Sequence, residues 1–237
     1  MQSMRATSWP YTWARCARLR AGRPRSQSIR VICGLALAPC RSIFVLWSVG
    51  EERFMLSNLE RQLLRDVALA AIEFGLAHRR EMPVAETDFP AALQAERASF
   101  VTLRNEGELL GCIGTLRAHR PLVCDVAHNA YQAAFSDPRF APLSEQDLRG
   151  LDLHISLLSV LEPLQVRSED DLIAQLRIGI DGLLIEDGEH VATFLPAMWP
   201  RLGDARTFLR TLKEKARLPS DYWSATLRAS RYTAEEV

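Results

Sequence analysis

Leu109-Leu110-Gly111-Cys112-Ile113-Gly114-Thr115 places a cysteine between two glycines in an otherwise β-prone run. Glycine inside a strand weakens it and marks a bulge or the close approach of another backbone or a ligand. Upstream, Ala98 to Arg104 is also strand-like, and Asn105-Glu106-Gly107-Glu108 between them has turn chemistry. Leu109 to Leu116 is therefore the returning arm of a β-hairpin. Pro121 then suits a first helical turn, and Leu122 to Phe135 carries apolar residues round half its circumference. A hairpin followed at once by a helix with one full side on the core is the nucleus of an antiparallel sheet covered by helices.

The flanking segments agree. Leu59, Leu63, Val67, Ala70, Ala71 and Phe74 recur every three or four residues, which predicts an amphipathic helix over 58–78, opened by a Ser57–Glu60 capping box. A short helix is expected around Ser144 to Arg149, a strand from Leu153 to Val160, and a helix from Ser168 to Arg177. Gly182 to Glu186 and His190 to Leu195 flank Asp187-Gly188, a dipeptide suited to tight hairpins. Asp204 caps a last helix with Phe208, Leu209, Leu212 and Ala216 inward and Lys213, Lys215 and Arg217 near its C-terminal dipole; a strand from Ala225 to Tyr232 closes the chain. Helices and hairpins without regular βαβ alternation predict an α+β class, with a mostly antiparallel sheet flanked by helices.

The chain has 29 basic and 29 acidic residues, but they are unevenly spread. Residues 1–50 hold eight arginines and no Asp or Glu, whereas from Met55 onward 20 basic and 27 acidic residues give a net charge of −7. An acidic domain has no electrostatic reason to seek nucleic acid or anionic lipid, so neither is an expected partner. Three readings fit residues 1–54: a targeting peptide, a signal anchor broken by Pro39 and Arg41, or a start assigned too early. The third is preferred, because Gly50-Glu51-Glu52 implies purine-rich codons resembling a ribosome-binding site just before Met55. On that reading residues 1–54 are a non-native or disordered extension and residues 55–237 the domain. Only Cys112 and Cys124 then remain of five cysteines, which offers no disulfide framework and suggests a reducing cytoplasm.

Phosphate-binding loops, dinucleotide fingerprints, zinc helices and Cys-x-x-Cys pairs are all missing from the sequence, so no cofactor or metal is evident. Cys112 is the candidate nucleophile, because flanking Gly111 and Gly114 leave space beside the thiol; the alternative is a small buried hydrophobe. Cys124 and His128 lie four apart on one helical face, which is commoner as incidental spacing than as a metal or thiolate pair. Asp137-Pro138-Arg139-Phe140 reads either as a turn, with Asp137 on local N–H groups and Phe140 in the core, or as a stop that aims Arg139 at an anion. Leu195-Pro196-Ala197-Met198-Trp199-Pro200 fixes a tryptophan for packing or for a pocket wall.

Taken in order, these stretches resemble the AMMECR domain family, also called AmmeMemoRadiSam system protein A. The family core is Leu-Arg-Gly-Cys-Ile-Gly, matched by Leu109 to Gly114 except that Leu110 stands where the family has arginine. The likeness continues through Asn129-Ala130, Ala133-Ala134-Phe135, Asp137 to Phe140, Ile155 to Ser159, Gly182 to Ile185, Thr193 to Pro196 with Trp199, and Lys215-Ala216. It implies a larger and a smaller lobe in one compact domain, a groove near the cysteine, and association with a Memo-like protein and a radical SAM protein. Gly111, Gly114, Thr115, Arg139, Pro196 and Trp199 are the expected binding residues around Cys112. Arg104 or Arg117 is the candidate replacement for the lost arginine. Function then divides between a thiol-dependent enzyme acting on a small molecule and a non-catalytic accessory subunit that presents the groove to a partner.

Overall fold

The computed structural model describes residues 56–237; the expectations for residues 1–54 and for a start at Met55 lie outside the described residues. The first helix, α1 (Asn58–His78), opens on the expected capping box: Ser57 Oγ accepts from the Glu60 amide and Glu60 accepts from the Ser57 amide at 2.7 Å. Its buried stripe is Leu64, Val67, Ala68, Ala71 and Ile72, which shares only Val67 and Ala71 with the predicted one and leaves Leu59 exposed; Arg79 ends the helix in the left-handed region. A single turn, α2 (Ala91–Gln94), leads into β1 (Ser99–Asn105) and β2 (Glu108–Gly114), the predicted hairpin displaced by a residue or two. Then come α3 (Leu122–Phe135) and β3 (Leu151–Leu158).

The smaller lobe follows: β4 (Glu162–Leu164), α4 (Glu169–Gln175), β5 (Gly182–Asp187), β6 (His190–Phe194), α5 (Trp199–Leu202), α6 (Ala205–Lys215) and β7 (Arg228–Tyr232). A last strand, β8 (Ala234–Glu236), returns to the larger lobe. Two four-stranded sheets result, ordered β2-β1-β3-β8 and β4-β7-β5-β6, with every pairing antiparallel. The α+β expectation of antiparallel sheets flanked by helices in two lobes holds.

Strand alternation sorts the larger sheet into two faces. Val101, Leu103 and Ile155 turn toward α1 and α3 and join the main core with Leu64, Ile72, Leu122 and Val126. Phe100, Thr102 and Arg104 therefore point to the opposite face. Phe100 packs there with Ala98, Leu158, Leu184 and Tyr232, the apolar cluster that joins the lobes. The chain crosses between lobes after β3 and again after β7, and the crossings are tied together: Ser159 donates to the Thr233 carbonyl and the Thr233 amide to Ser159 Oγ, each at 2.9 Å.

One expectation fails. Ser144 to Arg149 forms turns joined by short-range backbone bonds, from the Asp147 amide to the Ser144 carbonyl at 3.1 Å and from the Arg149 amide to the Gln146 carbonyl at 3.2 Å, and Gly150 at φ +80° closes the segment. The segment is too short to nucleate a helix by itself. Lys213 lies in the last turn of α6 as expected and is fully buried there, with its ammonium 2.6 Å from Glu169 and 3.3 Å from the Ser220 carbonyl. It ties α4 to α6.

Candidate functional site

Strand β2 is an edge, so the outward N–H and C=O of Cys112 have no strand to pair with. The turn after α3 supplies the partners. The Cys112 amide donates to Asp137 Oδ2 at 2.9 Å, and Arg139 Nη2 donates to the Cys112 carbonyl at 2.9 Å. Arg139 Nε and Nη2 also clasp Asp137 at 2.9 and 2.7 Å. One aspartate and one arginine thus imitate a neighbouring strand at a single residue. Of the two readings of Asp137-Pro138-Arg139-Phe140, the turn is real but its partner is distant in sequence. Phe140 is half-buried beneath the Arg139 guanidinium, 5.2 Å from carbon to ring centre, instead of filling the core.

The electrostatics follow from this clasp. Hydrogen bonds from Arg139 hold the Asp137 carboxyl down at about 2, against the opposing cost of burial, with further help from the Cys112 and Arg139 amides. The same contact raises the Arg139 pKa.

Because the Cys112 main chain points outward, Cys112 and Thr102 form a non-hydrogen-bonded cross-strand pair, the type with closer side chains. Thr102 Oγ1 accordingly donates to Cys112 Sγ at 3.2 Å. Thr102 also pairs with His154 on β3, so Cys112, Thr102 and His154 form one row on the open face. His154 is held by Asp152 at 2.8 Å.

The glycines explain how the strand reaches this position. A Cβ on Gly111 would stand 2.0 Å from the Ala133 carbonyl oxygen, so the strand lies directly against the C-terminal turn of α3. A Cβ on Gly114 would enter the Phe100 ring at 2.2 Å. A β-bulge falls between Leu103 and Arg104, opposite Leu110, and Leu110 packs against the main core. Neither candidate replacement for the family arginine serves Cys112: Arg104 turns back to the Gly107 carbonyl at 3.1 Å, and Arg117 spans to Glu186 at 3.1 Å.

A further cation, Lys215, belongs to the smaller lobe. Its ammonium donates to the Thr193 carbonyl at 2.9 Å and lies 5.0 Å from the centre of the Phe194 ring. Although the residue as a whole is exposed, desolvation around the ammonium lowers its pKa; Arg139 adds to the effect and Cys112 opposes it. No carboxylate forms an ion pair with Lys215 among the described residues.

The remaining predicted residues have other work. Thr115 Oγ1 donates to Asp125 Oδ1 at 2.8 Å, in a buried network where Asp125 also accepts from the Ser99 amide, Ser99 Oγ and Asn129. That network fixes α3 to the start of β1 and the end of β2, with Asp125 as its buried anchor. Pro196 is half-buried at the head of a 3-10 turn, Pro196–Met198. Trp199 lies in the smaller core, stacked on Phe208 at 4.0 Å and donating to the Asp181 carbonyl at 2.7 Å. Phe208 in turn meets Phe194 edge-on at 5.4 Å, so Trp199 supports from behind the ring on which Lys215 rests.

Cys124 and His128 do share a face, beside a surface depression of about 210 Å³ with Glu81 and Arg120. His128 engages Glu81 at 3.1 Å. Burial, then Glu86 and Asp125, push the Cys124 thiol up while Arg120 opposes, which is the wrong direction for an activated thiolate. Among the described residues no group of three His, Cys, Asp or Glu side chains could hold a metal ion.

A two-lobed α+β domain with a clasped edge-strand cysteine is the arrangement these residues define. Residues 65–237 match the AMMECR1 family model, and the chain belongs to that family. A protein of Methanothermobacter thermautotrophicus is 35% identical over 182 residues, 76% of this chain and 94% of that one. A Saccharolobus solfataricus protein is 33% identical over 196 residues, 78% of this chain and 85% of its own length. The crystal structure of uncharacterized protein PH0010 from Pyrococcus horikoshii is similar with a TM-score of 0.71 and 29% identity, covering 76% of this chain and 92% of that one.

Proposed function

We propose that the chain is a cysteine-dependent enzyme acting on a small molecule, with Cys112 as its nucleophile, in concert with Memo-like and radical SAM proteins. The observation that carries this reading is the double clasp of Cys112. Asp137 and Arg139 take both of its outward main-chain groups, and its half-buried thiol is left on the open face. A side chain whose backbone is held from both sides is preorganised, as a reacting group must be and a packing residue need not be. His154, braced by Asp152 in the same row, is the imidazole placed to exchange a proton through bound substrate or water. Two free thiols suit a reducing compartment such as the cytoplasm.

One observation favours the other reading, an accessory subunit that presents the groove to a partner: among the described residues Thr102, and no base, is hydrogen-bonded to the thiol. Iodoacetamide labelling of the folded protein, mapped by mass spectrometry, separates the two. Cys112 should label in the native state, ahead of Cys124. Labelling of Cys112 only after unfolding would assign the thiol to packing and leave the accessory role in its place.

A further inference from the structure

Thr102 is placed by two ladders at once. Its strand lies between β2 and β3, and its register partners are Cys112 on one side and His154 on the other. Val101 and Leu103 are fully buried on the helix side, which turns the Thr102 side chain to the open face. There its hydroxyl donates to Cys112 Sγ at 3.2 Å. A strand threonine often has an oxygen acceptor instead: Thr193, in the smaller sheet, donates to the cross-strand carbonyl of Leu183 at 3.0 Å. A neutral thiol is a weak acceptor, whereas a thiolate is an ionised one and binds a donor more strongly. The Thr102 bond therefore gains most when Cys112 loses its proton. A donor that prefers the charged form favours that form.

We propose that Thr102 is a positioning residue for the Cys112 nucleophile, its hydroxyl fixing the sulfur on the open face and favouring the thiolate over the thiol. This rests on the enzyme reading of Cys112 and supplies what that reading needs, a partner for the ionised sulfur. Three holds then act on one residue: Asp137 on the amide, Arg139 on the carbonyl and Thr102 on the sulfur. The hydroxyl is not the base. The proton that leaves Sγ passes through water to His154, which shares the row and has its Nε2 engaged by Asp152. A cross-strand pair that only packed would need the shape of threonine and not its oxygen.

The test separates shape from hydroxyl by following iodoacetamide labelling of the full chain across pH, with Cys124 as the internal reference. Thr102→Val keeps the branched shape and loses the donor; Thr102→Ser keeps the donor and loses the methyl. Thr102→Val should label Cys112 more slowly at pH 7, by about threefold or more, and the deficit should close as alkali ionises the thiol unaided. Thr102→Ser should follow the wild-type profile, and Cys124 should label alike in all three proteins. An equal rate at pH 7 in Thr102→Val would mean that the bond is idle, and a loss by the same factor at every pH would mean altered access. Either result overturns the positioning role and leaves the nucleophile intact. Should Thr102→Val fail to fold, Thr102→Ala against Thr102→Ser, which both lack the methyl, decides in the same way. If Cys112 of the wild type labels only after unfolding, the nucleophile reading falls and the positioning role falls with it.

Discussion

Cys112 and Cys124 are separated by one turn of chain and a large difference in surroundings. The sequence marks Cys112 through its glycines, and it marks Asp137 and Arg139 as a turn. It does not show that the turn returns to the cysteine, because that contact spans 25 residues and leaves no periodic trace. Thr102 is recoverable, since the hairpin register sets it opposite Cys112. Asp125 looks like a solvated helix carboxylate until its four donors are seen. Alkylation of Cys124 should rise only at more alkaline pH than that of an ordinary thiol, and Arg120→Ala should delay it further, read by rate against pH. Asp137, with its folded pKa lowered to about 2 from 3.8, contributes stability that is present above pH 3.8 and lost as pH falls toward 2. The contribution is on the order of 2 kcal/mol, reduced by the solvent that screens half-exposed Arg139. Asp137→Asn should flatten that acid limb in denaturant melts taken between those pH values.

At the scale of elements the sequence is most legible where one local signal suffices. The capping box and apolar stripe define α1 to the residue, and Pro121 with its apolar half-turn defines α3. Strand ends drift because pairing sets them: β3 begins at Leu151, opposite Asn105, two residues before its alternation suggests. Short strands β4 and β8 exist only through their partners and carry no pattern of their own. Ser57→Ala should cost about 1 kcal/mol in chemical denaturation, the usual value of a lost cap. Gly111→Ala should be far harsher, about 3 kcal/mol or more, because the obstacle at 2.0 Å is a backbone oxygen of α3 and cannot rotate away. A Gly111→Ala protein as stable as the wild type would mean that β2 and α3 are farther apart than described.

Across the whole molecule, the lobes are joined by an apolar cluster and by paired crossings, neither of which any single segment announces. Tyr232 sits in that cluster, with its hydroxyl bonded to Thr193 and to the Phe194 carbonyl. Burial pushes its pKa up to about 12. A phenol that must stay neutral when folded supports the fold fully below pH 10, and that support is lost as pH rises from 10 toward 12. Tyr232→Phe should therefore resist alkaline unfolding better than the wild type in that window, even if it is less stable at neutral pH.

The clasp on β2 has a consequence for how the protein behaves in a crowded solution. An open strand edge is a template on which a second molecule can add a strand of its own, and natural sheets usually guard it with charge or cover. Here the guards at Cys112 are Asp137 and Arg139, so the residues that hold the thiol also deny its strand to strangers. Removing the aspartate would then produce a protein that clumps at concentrations where its folding equilibrium is still favourable, and purification losses would appear before any melting curve recorded a defect.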